Sequence, residues 1–173
     1  MMLTDSTTNK LIILYIFDQM ETPLNEETLL EICNENAWVP YMEAKQSILE
    51  LVRSSFIINV SKSNTPTYAI TSDGSACLIH FPNKIPLSIR EDIKDKISKN
   101  RLSYRKRQEY FSDYFKNTDG TYTVILKILS TTEQPILELK LNINSRVTAK
   151  WIYKNWKDKA AIIYELINEN LIE

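Results

Sequence analysis

Glycine is the scarcest structural resource of this chain: 173 residues hold two, Gly74 and Gly120. A loop that cradles phosphate on successive backbone N–H groups needs several glycines close together. Neither a G-x-G-x-x-G run nor a Walker pattern occurs. Histidine is limited to His80, and cysteine to Cys33 and Cys77. H-E-x-x-H and C-x-x-C ligand pairs are therefore absent, and so is a G-x-S-x-G nucleophile elbow. Without a convergent nucleophile, base and orienting group, the chain is expected not to be an enzyme. No cofactor and no metal are expected. His80, with no Ser, Cys or carboxylate motif near it, reads as structural.

Long apolar runs are missing too. No stretch of about 18 apolar residues exists, so no membrane partner is expected. The start, Met-Met-Leu-Thr-Asp-Ser, has no basic region leading into an apolar one, which argues against a signal peptide. Two distant cysteines without ligand spacing read as reduced thiols, and a cytoplasmic location is expected.

Net charge is −1, so a strongly basic composition is also lacking. Its distribution is uneven. Residues 1–90 hold 6 Lys+Arg against 10 Asp+Glu, residues 91–107 hold 7 against 3, and the remainder 8 against 9. The basic cluster thus follows an acidic N-terminal half. Phosphate neutralisation supplies most non-specific affinity for DNA, so this balance weighs against the simplest DNA-binding story.

What is present is clear periodicity. Residues Asn9 to Met20 place Leu11, Ile12, Leu14, Tyr15, Ile16 and Phe17 in one helix, apolar around much of its circumference. Asn25 can cap a second helix, with Glu26 and Glu27 in the first turn, where the helix dipole favours acid. Trp38 lies in the turn that follows and reads as a packing residue. A third helix begins with Pro40 in its first turn and turns Ala44, Ile48 and Leu51 inward. Phe56–Val60 and Thr67–Ile70 are rich in β-branched and aromatic residues and flank a cluster of turn formers, which predicts a hairpin. Thr71 caps the next helix, over Ser72–Phe81, and Pro82 and Pro86 break it.

From Ser88 a further helix carries Ile89, Ile93 and Ile97 on one face. It reads either as a linker packed on the first domain or as one half of a dimer seam. Three strands follow, around an Asn117-Thr118-Asp119-Gly120 hairpin and a turn at Ser130–Gln134. Two helices close the chain, one through Trp151, Ile152 and Tyr153, the other holding Ala160 to Leu171; they should cover the sheet. The expected fold class is α+β: an N-terminal winged helix-turn-helix over 1–86, an amphipathic basic linker helix over 87–107, and a small C-terminal α+β domain over 108–173.

The run Tyr68-Ala69-Ile70-Thr71-Ser72-Asp73-Gly74-Ser75-Ala76-Cys77-Leu78 resembles the Y-x-L-T-x-x-G-x-x-x-L signature that closes the wing of many bacterial winged-helix regulators, including the PadR and MarR types. Across its length the chain resembles a winged-helix family of unknown function from Gram-positive bacteria. The residues that carry this second resemblance are Lys10–Ile16, Leu51-Val52, Phe81, Ile85-Pro86 and Asn155-Trp156. It implies a fold and carries no activity with it.

A helix followed by a hairpin is how a winged helix presents itself to duplex DNA. The candidate DNA-binding residues are Tyr41, Met42, Glu43, Lys45, Gln46 and Ser47 on the outward N-terminal half of the third helix, and Arg53 further along. Lys62, Ser63, Asn64 and Thr65 at the wing tip join them. Gln46 can pair with adenine, Lys45 with guanine or a phosphate, and Glu43 with cytosine. Arg101, Arg105, Lys106 and Arg107 are candidate phosphate contacts. The expected function is transcriptional regulation as a homodimer on double-stranded DNA. No residue pattern names a small-molecule effector. The competing class is a winged-helix module that binds another protein instead.

Overall fold

The computed structural model describes residues 5–61, 66–130 and 135–172. The protein is α+β, with two three-stranded antiparallel sheets. It divides into two compact units, Met1–Tyr104 and Arg105–Glu173.

In the first unit, α1 (Ser6–Met20) is the hub. Asp5 caps it, its carboxylate accepting from the Thr8 N–H at 2.7 Å. Leu11, Ile12, Ile13, Leu14, Ile16, Phe17 and Met20 are all buried, so the helix is covered on most sides, as its sequence requires. Strand β1 (Leu24–Asn25) leads into α2 (Glu26–Glu35), capped by the Asn25 side chain. A tight turn with Ala37 in the left-handed region (φ 53°) then delivers the chain to α3 (Tyr41–Arg53). Pro40 stands one position earlier than expected. It is the residue just outside the helix, with extended ψ of 152°, and contributes its carbonyl to the Ala44 N–H.

Strands β2 (Ile57–Asn59) and β3 (Thr67–Ile70) form the hairpin, and β1 pairs with the other edge of β3. The sheet order is β1-β3-β2, with α2 and α3 between its first and second strands in the chain. Helix α4 (Ser72–His80), a short 3-10 turn (Pro82–Lys84) and α5 (Leu87–Glu109) follow.

Ile93, Ile97 and Tyr104 of α5 are buried in the first unit's core, with Ile89 packed beside them. The isoleucine row is therefore spent inside the chain, which removes it as a dimer seam. Trp38 is buried as expected, and its indole N–H donates to Asp92 of α5 at 2.8 Å. Asp92 is also held by Lys96 at 3.1 Å, so the α2–α3 turn is tied to α5 through a charge-assisted bond.

In the second unit, β4 (Tyr110–Lys116), β5 (Tyr122–Leu129) and β6 (Pro135–Ile143) form a meander. Gly120, at φ +86°, turns the first hairpin, and Asp119 accepts from both the N–H and the hydroxyl of Thr121. Val124, Leu126 and Ile128 face inward, while Glu138 and Lys140 are exposed on the other face. One helix, α6 (Arg146–Leu171), covers the apolar face where two were expected. No proline or glycine interrupts it, and Ala149, Trp156 and Ala160 keep one side of it in the core. The Trp156 indole donates to the Lys127 carbonyl at 3.0 Å.

Among the described residues no helix is long and apolar enough to cross a membrane. Among the same residues, no group of three or more His, Cys, Asp and Glu is placed to hold a metal ion.

Candidate nucleic-acid interface

Helix α3 is anchored by Ala44, Ser47, Ile48 and Leu51, all buried. Its other side is open: Tyr41, Met42, Glu43, Lys45, Gln46 and Leu49 are exposed, with Met42 at 71%. Ser47, expected on the outward side, is 3% exposed and belongs to the inner face. The spacing could have placed it there. Residues 44, 47, 48 and 51 are one helical stripe, and its polarity obscured a position that its phase fixes.

Two small networks hold the outward side chains. The Lys45 ammonium lies 5.7 Å from the Tyr41 ring centroid. The Gln46 amide donates to one Glu50 oxygen at 3.0 Å, and Lys10 of α1 approaches the other at 3.1 Å. The Gln46 hydrogen bond, followed by Lys10, holds the Glu50 carboxyl below the ordinary carboxylate range. Glu50 was not among the expected site residues, although its place four residues after Gln46 puts the two side by side. Leu49, 47% exposed, was missed as well; it lies off the buried stripe. Arg53 is exposed in the last turn, where a cation suits the helix dipole. The outward charges of α3, Glu43 and Glu50 against Lys45 and Arg53, balance.

The base of the hairpin is locked. The Asn59 side-chain oxygen accepts from the Ser61 N–H at 2.9 Å and the Thr67 N–H at 3.3 Å. Ile58 and Val60 are exposed beside it. Lys62, Ser63, Asn64 and Thr65, expected as tip contacts, lie outside the described residues.

The Thr71-x-x-Gly74 segment fixes how α4 leaves the hairpin. The Thr71 hydroxyl accepts from the Gly74 N–H at 3.1 Å and donates toward the carbonyl oxygens of Ser55, at 2.7 Å, and Phe56. A Cβ on Gly74 would fall 2.3 Å from the Phe56 carbonyl oxygen, so only glycine fits the first turn of α4. The motif is thus a joint between the end of α3, the hairpin and α4.

The basic run is less uniform than its sequence suggests. The Arg101 guanidinium donates to the Gln19 carbonyl at 2.7 Å, at the C-terminal end of α1, and stands 3.9 Å from Glu21. Its charge serves the fold of the first unit. Lys106 is exposed, and Arg105 and Arg107 are half-buried. His80 is exposed at the end of α4. Cys33 is buried, and burial pushes its thiol up to about 12, so it stays protonated; Cys77 is half-buried.

These features define an α+β protein whose N-terminal unit sets α1 to α4 and most of α5 with a three-stranded sheet and leaves the outward side of α3 exposed. The chain belongs to the family described as Domain of unknown function (DUF4364), which matches residues 9–171. No curated protein and no solved structure matches the chain.

Proposed function

We propose that the N-terminal unit is a winged helix-turn-helix that reads duplex DNA, and that the protein is a cytoplasmic transcriptional regulator acting as a homodimer. The observation that supports this most is the division of α3. Ala44, Ser47, Ile48 and Leu51 anchor it, while Tyr41, Glu43, Lys45 and Gln46 stand clear around its N-terminal half. A recognition helix presents that half to base edges in the major groove. Gln46 gives up only an exposed bond to Glu50 when it pairs with adenine, and Lys45 is already extended along Tyr41. Arg53 then serves the phosphate backbone. The likeness of Tyr68–Leu78 to the wing-closing signature of PadR- and MarR-type regulators points the same way.

Selection of bound fragments from random duplexes tests the reading: enrichment of a two-fold motif is expected, and no enrichment overturns it. The exposed Met42 and Leu49, on a charge-balanced helix, favour a second reading, in which the same face binds a protein. In that case DNA is not retarded, and a partner co-purifies whose binding is lost on Met42→Glu.

A further inference from the structure

The outward side of α6 carries four large apolar residues that its own sheet does not use. Val147 is 71% exposed, Trp151 64%, Ile162 52% and Leu166 51%. The covered side of the helix is accounted for by Ala149, Ile152, Trp156, Ala160 and Ile163. The exposed four are separated by 4, 11 and 4 residues. Eleven residues make close to three full turns, so the two pairs fall on one side of the helix, within an arc of about 100°. The spacing also reads the same from either end.

Charge along α6 is polarised. Its first half carries Arg146, Lys150, Lys154 and Lys157 against Asp158, and its second half carries Glu165 and Glu169 against Lys159. A parallel neighbour would set lysine against lysine along the whole first half, whereas the antiparallel register does so only near the middle, where Lys154 lies level with Lys159. An antiparallel one sets Lys150 beside Glu165 and Arg146 beside Glu169, while Val147 meets Leu166 and Trp151 meets Ile162. Every contact then occurs twice, which is the condition for an isologous two-fold interface.

We propose that α6 is the dimerisation surface of this protein, and that its occupant is a second copy of the same helix, antiparallel. The proposal deepens the homodimer part of the reading above and does not depend on DNA. It replaces the isoleucine row of α5, which is buried in its own unit. A pair of 26-residue helices is about 39 Å long, which makes a modest interface, so the dimer is expected to dissociate on dilution.

Sedimentation equilibrium of the full chain tests it. At about 100 μM the wild type is expected at twice the 20.2 kDa chain mass. The double change Trp151→Glu, Ile162→Glu should return the chain mass with an unchanged far-ultraviolet circular dichroism spectrum, since both side chains are exposed. Arg146→Glu with Lys150→Glu should also dissociate the dimer. Adding Glu165→Lys and Glu169→Lys to that variant should restore it, which loss of fold would not allow. A monomeric wild type overturns the proposal and leaves the stripe to a different protein. A dimer indifferent to the Trp151 and Ile162 changes places the interface elsewhere and overturns it equally. Retardation of DNA by the wild type, scored separately, distinguishes the two readings: retardation without an α6 dimer overturns the dimer surface alone, and an α6 dimer without retardation overturns the DNA reading alone.

Discussion

Gly74 shows how much one residue decides. Alanine is the better helix former, by about 1 kcal/mol over glycine in a helix interior. Here that gain is outweighed, because the new methyl group would sit 2.3 Å from the Phe56 carbonyl oxygen, a backbone atom that cannot turn aside. Gly74→Ala should therefore lower the stability of the N-terminal unit, by about 1–3 kcal/mol as over-packing does, read as a fall in urea midpoint. An unchanged midpoint would mean that α4 does not approach the hairpin this closely. Asp92 gives a pH prediction. The Trp38 indole N–H, and then Lys96, favour its ionised form and hold its pKa below the ordinary carboxylate value. A depressed carboxylate contributes stability above its unfolded pKa, and that contribution is lost as pH falls through the folded one. Asp92→Asn should remove this part of the acid-side loss, so that its urea midpoint declines less between neutral pH and the carboxylate range than the wild type's does. Parallel declines would show that the Trp38 bond carries no linkage.

At the scale of elements, the helices and strands with clean periods were legible: α1, α2, α3, the hairpin and the meander all follow from spacing and caps. What spacing alone could not decide was which surface a stripe meets. Ile89, Ile93 and Ile97 repeat every four residues whether they face a second copy or their own core, and only the packing of α5 beneath Trp38 and α1 assigns them. Helix α6 is a second such case, one helix where two were expected. Asn155 to Lys159 looks polar enough for a loop, but Ala149, Ile152, Trp156, Ala160 and Ile163 fall on one side at helical intervals and keep the helix whole. Trp156 is central to that side, 2% exposed and bonded to the Lys127 carbonyl. Trp156→Ala should cost about 3–5 kcal/mol in the C-terminal unit, visible as an early-melting transition. A single unchanged transition would show that α6 does not depend on this anchor. The candidate site was legible in outline, because the buried stripe of α3 defines its outward side by exclusion. Ser47 follows the phase of the buried stripe against its polar chemistry, and Glu50 joins the site through Gln46 four residues before it and through Lys10 of another helix.

At the scale of the whole molecule, we propose that an acidic protein reads DNA through the exposed, charge-balanced side of α3 beside a locked hairpin. Its affinity must then come from few phosphate contacts and from base readout by Lys45 and Gln46, with a shallow dependence on salt compared with a basic binder. The most direct measurement is electrophoretic retardation of the selected duplex, at rising salt, by the wild type and by the variant with Lys45→Ala and Gln46→Ala. Specific retardation by the wild type, weakening as salt rises, is the expected result. The variant is expected to be folded and to have lost at least about tenfold in affinity, the equivalent of one good base contact. Equal retardation by both proteins would contradict the assignment of α3, and no retardation by the wild type at any salt would contradict the DNA reading itself.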